Sequence, residues 1–265
     1  MQVLTRPWGA MHYRCDGPAP DAATGPTLVF ANSLGTDLRL WDAVMPLLPA
    51  GFRTIRYDKA GHGLSDVCGS GTVTALAEDV IALIEAVTEG PVIFIGLSIG
   101  GLIAQKVAEL RPDLLRALVL SNTAAKLGNA EGWNARISAI EAGGLESIAP
   151  GVMERWFGPA FRATPELALW QNMMIRMSVP GYIAACQALA GGDQTAATAK
   201  ITLPTLVIAG SEDGASPPDL VRATADLIAG ARFALIPGAG HLPCVETPAA
   251  FAEVLNAFLK EHADV

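Results

Sequence analysis

Short apolar runs alternate with stretches of helical periodicity along most of this chain. The runs with the length and composition of strands are Thr27–Ala31, Arg53–Tyr57, Pro91–Ile95, Leu118–Leu120, Leu206–Ala209 and Arg232–Ile236. Runs such as Val92–Ile95 are apolar without polar alternation, which is typical of strands covered on both faces in a parallel sheet. The pattern predicts an α/β fold, in which a mostly parallel central sheet carries helices on both faces.

The helical patterns divide the chain into a core and an insertion. The predicted helices are Thr74–Val87, Gly100–Leu110, about Pro217–Ile228 and one from Thr247 onward. From residue 125 to 199 no clear strand is found, and three of the five tryptophans lie there. We therefore expect an α/β core in two parts, residues 1–124 and 200–265, interrupted by a helical cap at residues 125–199, here named the cap segment.

The charge balance limits the partners of this chain. Its 265 residues carry 18 Lys and Arg against 26 Asp and Glu, a net charge of −8, and no basic run offsets this locally. An acidic surface repels phosphate groups, so neither nucleic acid nor an anionic membrane surface is an expected partner. The longest uncharged run, residues 90–105, is shorter than the about 20 apolar residues of a spanning helix.

The cysteines and the first residues favour a cytoplasmic protein. The four cysteines are widely spaced and include no C-x-x-C pair, so we expect reduced thiols without a disulfide or metal role. Residues 1–17 contain no apolar stretch of the kind that secretory leaders have. A cytoplasmic location is therefore the expectation.

The segment from Gly96 to Gly100 reads Gly-Leu-Ser-Ile-Gly and matches G-x-S-x-G. It follows the run Val92–Ile95 at once and opens a helix, which is the strand–turn–helix setting of a nucleophile elbow. Such a turn strains the serine backbone and leaves no room for side chains two residues away, hence the glycines. Ser98 is therefore the predicted nucleophile. The alternative is a glycine-rich turn in which the serine only caps the helix.

A serine nucleophile needs a base and an acid that orients the base. His62 and His241 both follow predicted strands, where catalytic loops gather in such sheets. The chain order Ser…Asp…His favours His241 and leaves His62 as a loop residue near the site. Asp213, after Leu206–Ala209, is the predicted acid, and its neighbour Glu212 is expected to be solvated. The alternatives are a structural loop histidine and a turn aspartate.

Two backbone N–H groups are expected to bind the oxyanion. One is that of Ile99, directly after the nucleophile, and the other is that of Leu34, in the loop after Thr27–Ala31. Because the backbone acts here, apolar side chains at these positions are no objection.

Several longer segments carry a family resemblance. They are Asn32–Asp37 with Trp41-Asp42, Tyr57–Lys59 with Gly61–Asp66, Gly96–Gly101, Ser121–Lys126, Trp133–Arg136 and Gly238–Glu246. On these segments the chain resembles the α/β-hydrolase family along nearly its whole length, with a helical cap inserted after the sixth strand. More narrowly it is similar to the 3-oxoadipate enol-lactonases. One departure is Ala60, where those enzymes usually carry arginine.

The resemblance implies a substrate and its binding residues. The substrate would be 3-oxoadipate enol-lactone, a small anionic lactone opened to 3-oxoadipate in the β-ketoadipate pathway of aromatic breakdown, without a cofactor or a metal. Arg136 is then expected to bind the substrate carboxylate, which suits its planar guanidinium, and Trp133 to wall the cavity. The alternatives are a surface arginine and a core tryptophan.

Other functions share parts of this pattern. A carboxylesterase or a C–C bond hydrolase of another small substrate would use the same triad. A non-catalytic binding protein of this fold need not keep Ser98, Asp213 and His241 together, yet all three are present. Relatives with an aspartate nucleophile are disfavoured because a serine occupies the elbow.

Overall fold

The fold is built on one sheet, described in a computed structural model that covers residues 1–19, 22–23, 25–68 and 71–262. Within these ranges the strands are β1 (Gln2–Arg6), β2 (Gly9–Asp16), β3 (Leu28–Ala31), β4 (Thr54–Tyr57), β5 (Val92–Leu97), β6 (Leu115–Ser121), β7 (Thr205–Gly210) and β8 (Arg232–Ile236). Their spatial order is β1-β2-β4-β3-β5-β6-β7-β8. β2 pairs antiparallel with β1 and β4, and all other pairs are parallel. The predicted mostly parallel α/β sheet is confirmed.

The antiparallel edge was not predicted as part of the sheet. In β1 and β2 most side chains are exposed or half-buried, and β2 carries His12, Arg14 and Asp16. Antiparallel strands with a solvated face lack the continuous apolar run that identifies a buried parallel strand. The six predicted strands are all present, and the largest shift in a boundary is at β6, which begins at Leu115 rather than at Leu118.

Helices cover both faces of the sheet. In the described residues they are α1 (Val73–Val87), α2 (Ile99–Leu110), α3 (Ala130–Gly143), α4 (Ala149–Trp156), α5 (Pro159–Arg162), α6 (Leu167–Ile175), α7 (Val179–Gly191), α8 (Thr195–Thr198), α9 (Pro218–Leu227), α10 (Pro243–Glu246) and α11 (Pro248–His262). All six residues of β5 are buried, and because successive side chains point to opposite faces, neither face is open to water. Within the described ranges, none of the helices has the length and apolar character that crossing a membrane requires.

The register brings the loops after five strands to one edge. Ala31 of β3 lies opposite Gly96 of β5, and Leu97 lies opposite Ser121 at the end of β6. At the far side, Gly210 of β7 pairs with Ile236 of β8. Because these strands are parallel, their carboxyl ends meet at the same edge, which is where ligands bind in such sheets.

The helices α3 to α8 lie between β6 and β7, and residues 122–204 form no strand. Asn129 starts α3, because its side chain accepts a hydrogen bond from the backbone N–H of Gly132 at 2.8 Å. The position of these helices agrees with an inserted cap segment. The boundaries of the cap segment, 125–199, and of the two core parts, 1–124 and 200–265, stay a prediction.

Candidate active site

Ser98 lies in a sharp turn between β5 and α2. Its backbone has φ 58° and ψ −120°, a combination that residues with a side chain rarely adopt. The surrounding structure holds it there. The Ser98 N–H donates to the carbonyl of Ser121 at 3.0 Å, and the Ser98 carbonyl accepts from the Thr123 hydroxyl at 2.7 Å. The predicted elbow geometry is therefore present at this serine.

The two glycines of the elbow lie where there is no room for a side chain. A methyl group on Gly96 would overlap with the carbonyl of Gly100, and one on Gly100 would overlap with the carbonyl of Ala31. Both obstacles are backbone atoms, which cannot swing away as a flexible side chain can. The G-x-S-x-G spacing thus follows from close packing of the turn against α2 and β3.

His241 and Asp213 meet across the loops that follow β8 and β7. The His241 Nδ1 atom lies 2.9 Å from Asp213 Oδ2, and both residues are buried. An ionised carboxylate only accepts hydrogen bonds, so Nδ1 carries the proton and Nε2 keeps its lone pair. The exposed Glu212, in contrast, faces solvent as expected.

Asp213 is held in its ionised form. Burial acts to raise its pKa, but the electrostatic interaction and the hydrogen bond with His241, followed by the bonds from Asn122 and Ser216, outweigh burial and lower the pKa below its ordinary value. The Oδ1 atom accepts from the N–H groups of Ala215 at 2.7 Å and Ser216 at 2.8 Å. The carboxylate can therefore stabilise an imidazolium at His241.

Two partners of Asp213 were missed by sequence reasoning. Asn122 donates from Nδ2 to Asp213 Oδ2 at 2.9 Å and to the carbonyl of Gly240 at 3.1 Å. Ser216 Oγ lies 2.8 Å from Asp213 Oδ2 and 3.2 Å from His241 Nδ1. The signal for Asn122 was its place directly after β6, at the strand edge where the other site residues follow their strands.

Ser98 and His241 line the same cavity, which has a volume of about 230 Å³. The hydrogen bonds of the imidazole in the described part of the chain are made at Nδ1, and none joins it there to the Ser98 hydroxyl. Such bonds are often long without substrate and tighten in the complex. The arrangement can therefore supply a hydroxyl, a base with a free lone pair and an acid that orients the base.

The Leu34 and Ile99 amides are available as donors. Leu34 lines the cavity with Ser98, and Ile99 is the first residue of α2. In the described residues neither N–H donates to an acceptor of the protein. An unpaired N–H at a helix start beside the nucleophile is suited to bind a developing oxyanion.

The cap segment supplies an aromatic wall and two cations. Trp133 and Arg136 line the cavity, and the Arg136 Cζ atom lies 4.9 Å from the centre of the Trp133 ring. The Trp133 Nε1 atom donates to the carbonyl of Leu127 at 2.7 Å, which fixes the ring. Arg155, which sequence reasoning missed, lines the same cavity, and its Nε atom donates to the carbonyl of Gly214 at 3.1 Å.

The arginines make the cavity wall cationic inside an acidic protein. Partial burial, and then the charge of Arg136, lower the pKa of the Arg155 guanidinium. Two like charges facing one cavity repel each other, and an anionic ligand between them would relieve that repulsion.

His62 lies apart from this arrangement. It is buried in the loop after β4, with its Nδ1 atom 3.2 Å from the carbonyl oxygen of Ala60. Burial, and then the charge of Lys59, lower its pKa well below the ordinary value. It does not line the cavity that holds Ser98. Its position agrees with the expectation of a loop residue outside the triad.

Known proteins resemble this chain over nearly its full length. A model of the alpha/beta hydrolase family matches residues 28–254. The 3-oxoadipate enol-lactonase 1 of Acinetobacter baylyi is 32% identical over 262 residues, which are 98% of this chain and 97% of that protein.

Solved structures give the same picture. The enol-lactonase from Burkholderia xenovorans LB400 superposes with a TM-score of 0.92 at 33% identity, covering 98% of this chain and 100% of that one. A hydrolase from Pseudomonas aeruginosa PA01 superposes with a TM-score of 0.90 at 38% identity, covering 97% of each chain. The resemblance to enol-lactonases is confirmed and supports a hydrolytic activity. This chain therefore belongs to the alpha/beta hydrolase family.

Proposed function

We propose that this protein is a serine hydrolase that opens 3-oxoadipate enol-lactone to 3-oxoadipate, in the β-ketoadipate pathway of aromatic breakdown. The observation that carries the proposal is the shared cavity of Ser98, His241 and Arg136. It combines a nucleophile and a base with a cation that suits the free carboxylate of the lactone. The similarity to two enol-lactonases supports the substrate.

In the proposed acylation, the Ser98 hydroxyl attacks the lactone carbonyl carbon while His241 Nε2 takes its proton. The Leu34 and Ile99 N–H groups hold the oxyanion that forms. The carbon–oxygen bond of the ring then breaks. The leaving oxygen is an enolate, which is a better leaving group than an alkoxide, and it takes the proton from His241.

In the proposed deacylation, the leaving group stays attached to the acyl-enzyme, so ring closure competes with hydrolysis. Tautomerisation of the enol to the ketone removes the internal nucleophile. His241 then takes a proton from water, the water oxygen attacks the acyl carbon, and Ser98 regains its proton as 3-oxoadipate leaves. Atoms balance with one water consumed.

The decisive test is turnover of freshly generated enol-lactone, followed by the loss of its ultraviolet absorbance. Ser98→Ala should stay folded and lose about 10⁴-fold or more in kcat, because it removes the nucleophile. Ser147→Ala, a change at an exposed serine of the cap segment, serves as control and should keep full activity.

A panel of neutral p-nitrophenyl esters tests the alternatives. Faster turnover of these esters than of the enol-lactone would favour a carboxylesterase. Normal turnover by Ser98→Ala would exclude the serine mechanism. A wild-type protein that turns over neither substrate and is not labelled by a fluorophosphonate would favour the non-catalytic alternative.

A further inference from the structure

Lys59 is a buried lysine that the proposed chemistry does not use. It follows β4, and only 3% of its surface is exposed, which is rare for lysine. Its Nζ atom donates to the carbonyl oxygen of Ser33 at 2.6 Å. Thr36 donates to the same oxygen, from its hydroxyl at 3.0 Å and from its N–H at 3.4 Å. Lys59 thus adds a charged donor to a carbonyl that neutral donors already hold.

That carbonyl belongs to the peptide group of the predicted oxyanion donor. The Ser33 carbonyl and the Leu34 N–H share one trans peptide plane, so they point in opposite directions. Leu34 lines the cavity beside Ser98, and its N–H donates to no protein acceptor in the described residues. Fixing the carbonyl on one side of the plane therefore fixes the direction of the N–H on the other side.

The charge of the donor adds a second effect. A hydrogen bond from an ammonium group is stronger than a neutral one and polarises the peptide group that accepts it. Polarisation places more positive charge on the N–H of Leu34. A more positive N–H binds a developing negative oxygen more strongly than it binds a neutral ground-state carbonyl, and such a difference raises kcat.

We propose that Lys59 is a positioning residue of the oxyanion hole, whose ammonium group orients the Ser33–Leu34 peptide and strengthens the Leu34 N–H as an oxyanion donor. The proposal rests on the proposed serine hydrolysis, because the N–H has this role only if an oxyanion forms at Ser98.

The surroundings of Lys59 make its charge sensitive to pH. The titratable and charged side chains around it are Asp58, Asp37, His62, His12 and Arg39. Burial lowers the pKa of Lys59 to about 7, against the opposing effect of the Asp58 and Asp37 carboxylates. His62 lies close enough to Lys59 that the Lys59 charge lowers the pKa of His62. His12 pairs with Asp58, and Arg39 pairs with Asp37. The ammonium is therefore charged below about pH 7 and is lost above it.

The test uses p-nitrophenyl acetate, a neutral ester, so that the substrate itself does not titrate. Lys59→Met should lower kcat by about 10- to 100-fold and change KM by no more than about twofold. The loss in kcat should not exceed the loss that follows removal of a whole oxyanion donor. The wild-type kcat should fall as pH rises through about 7, and the variant should lack this step. Thr36→Val removes a neutral hydrogen bond to the same oxygen and is the matched control. It should cost less in kcat and keep the wild-type pH step.

A second measurement does not depend on the folding of Lys59→Met. In wild-type protein with ¹⁵N-labelled leucine, the Leu34 amide resonance should follow the titration of Lys59 between about pH 5 and pH 10, where a perturbed lysine titrates. An unchanging Leu34 resonance, or a folded Lys59→Met with wild-type kcat and pH profile, would overturn the proposal. A wild-type protein that hydrolyses the ester but not the enol-lactone contradicts the substrate alone, and the variants are then still compared on the ester.

Discussion

At the scale of single residues, Ser98 shows how this fold stores strain where the chemistry is expected. Its φ of 58° is accompanied by a similarly unusual value at Asn122, with φ 48°. Asparagine tolerates this region because its short side chain can bond locally, whereas serine has no such preference. The bond from the Ser98 N–H to Ser121 and the bond from the Thr123 hydroxyl to the Ser98 carbonyl hold the conformation in place. The strained residue is therefore kept for its position rather than for stability.

This strain predicts an order of stability among variants. Ser98→Gly should have a free energy of unfolding about 1 kcal/mol higher than Ser98→Ala. Glycine relieves a backbone strain of about 1–3 kcal/mol, and it lowers stability by about 0.4–1 kcal/mol because it increases the conformational entropy of the unfolded chain. Urea unfolding of the two variants measures the difference. At exposed Ala135 in α3, the change to glycine should destabilise instead. Equal stabilities of the two Ser98 variants would contradict the strain argument.

At the scale of elements, the short helix α10 connects the cap segment to the loop that carries His241. Its last residue, Glu246, accepts from the N–H of Gly240 at one carboxylate oxygen and from that of Gly158 at the other, both at 2.8 Å. Nearby, the His241 N–H donates to the carbonyl of Trp156 at 2.7 Å. The end of α4 and the histidine loop are thus joined through backbone groups, so the cap segment helps to place the imidazole.

We expect Glu246 to make a contribution to the free energy of unfolding that depends on pH. Burial raises its pKa from the ordinary 4.5 to about 7, against the opposing effect of its bonds to Gly158 and Gly240. The folded chain therefore holds a proton that the unfolded chain loses, so this contribution is full below about pH 4.5 and is lost as pH rises through about 7.

Urea unfolding at a series of pH values measures this contribution as a difference between the wild-type protein and Glu246→Gln. The wild-type free energy of unfolding should fall relative to that of the variant between about pH 4.5 and 7. The variant should also be less stable below that range, since an amide has only one oxygen to accept from two N–H groups. Parallel stability curves would contradict the role of Glu246.

At the scale of the whole molecule, the cavity exists only because the cap segment faces the edge of the sheet. Ser98 and His241 come from the core, whereas Arg136 and Arg155 come from α3 and α4. The chain as a whole carries a charge of −8, so this paired positive charge is local. Because Arg136 and Arg155 line the cavity and no carboxylate side chain does so in the described residues, the proposed anionic substrate would be attracted to this place.

Removal of Arg136 in α3 should affect the binding of an anionic substrate more than that of a neutral one. Arg136→Ala should raise KM for the enol-lactone by about 10- to 100-fold, the loss of a charge-assisted hydrogen bond, and change KM for a neutral ester far less. Steady-state kinetics on both substrates measure the difference. Arg162→Ala, also in the cap segment, is the matched control and should alter neither KM. An unchanged KM for the enol-lactone would exclude Arg136 as the carboxylate-binding residue, and Arg155 would be tested next.

The parts of the site that could be predicted are those with a local signal. The elbow has its complete pattern within a few residues, Gly96 to Gly100, and His241 and Asp213 follow strands that are themselves apolar runs. Arg155 and Ser216 gave no such signal, because an arginine in an amphipathic helix and a serine in a polar loop fit many positions equally well. Lys59 lies in the segment Tyr57–Lys59 that carries the family resemblance, but nothing in its neighbours predicted a bond to Ser33.

The sequence by itself determined the strand–turn–helix elbow and the order of strands and helices along the chain, because hydrophobic periodicity and the glycine spacing act over a few residues. Only the tertiary structure decided which loops meet. The bonds from Asn122 to Asp213, from Lys59 to Ser33 and from Gly158 to Glu246 join residues far apart in the chain. They depend on the sheet register and on how the cap segment packs, both of which follow from the burial of many side chains at once and not from any short segment.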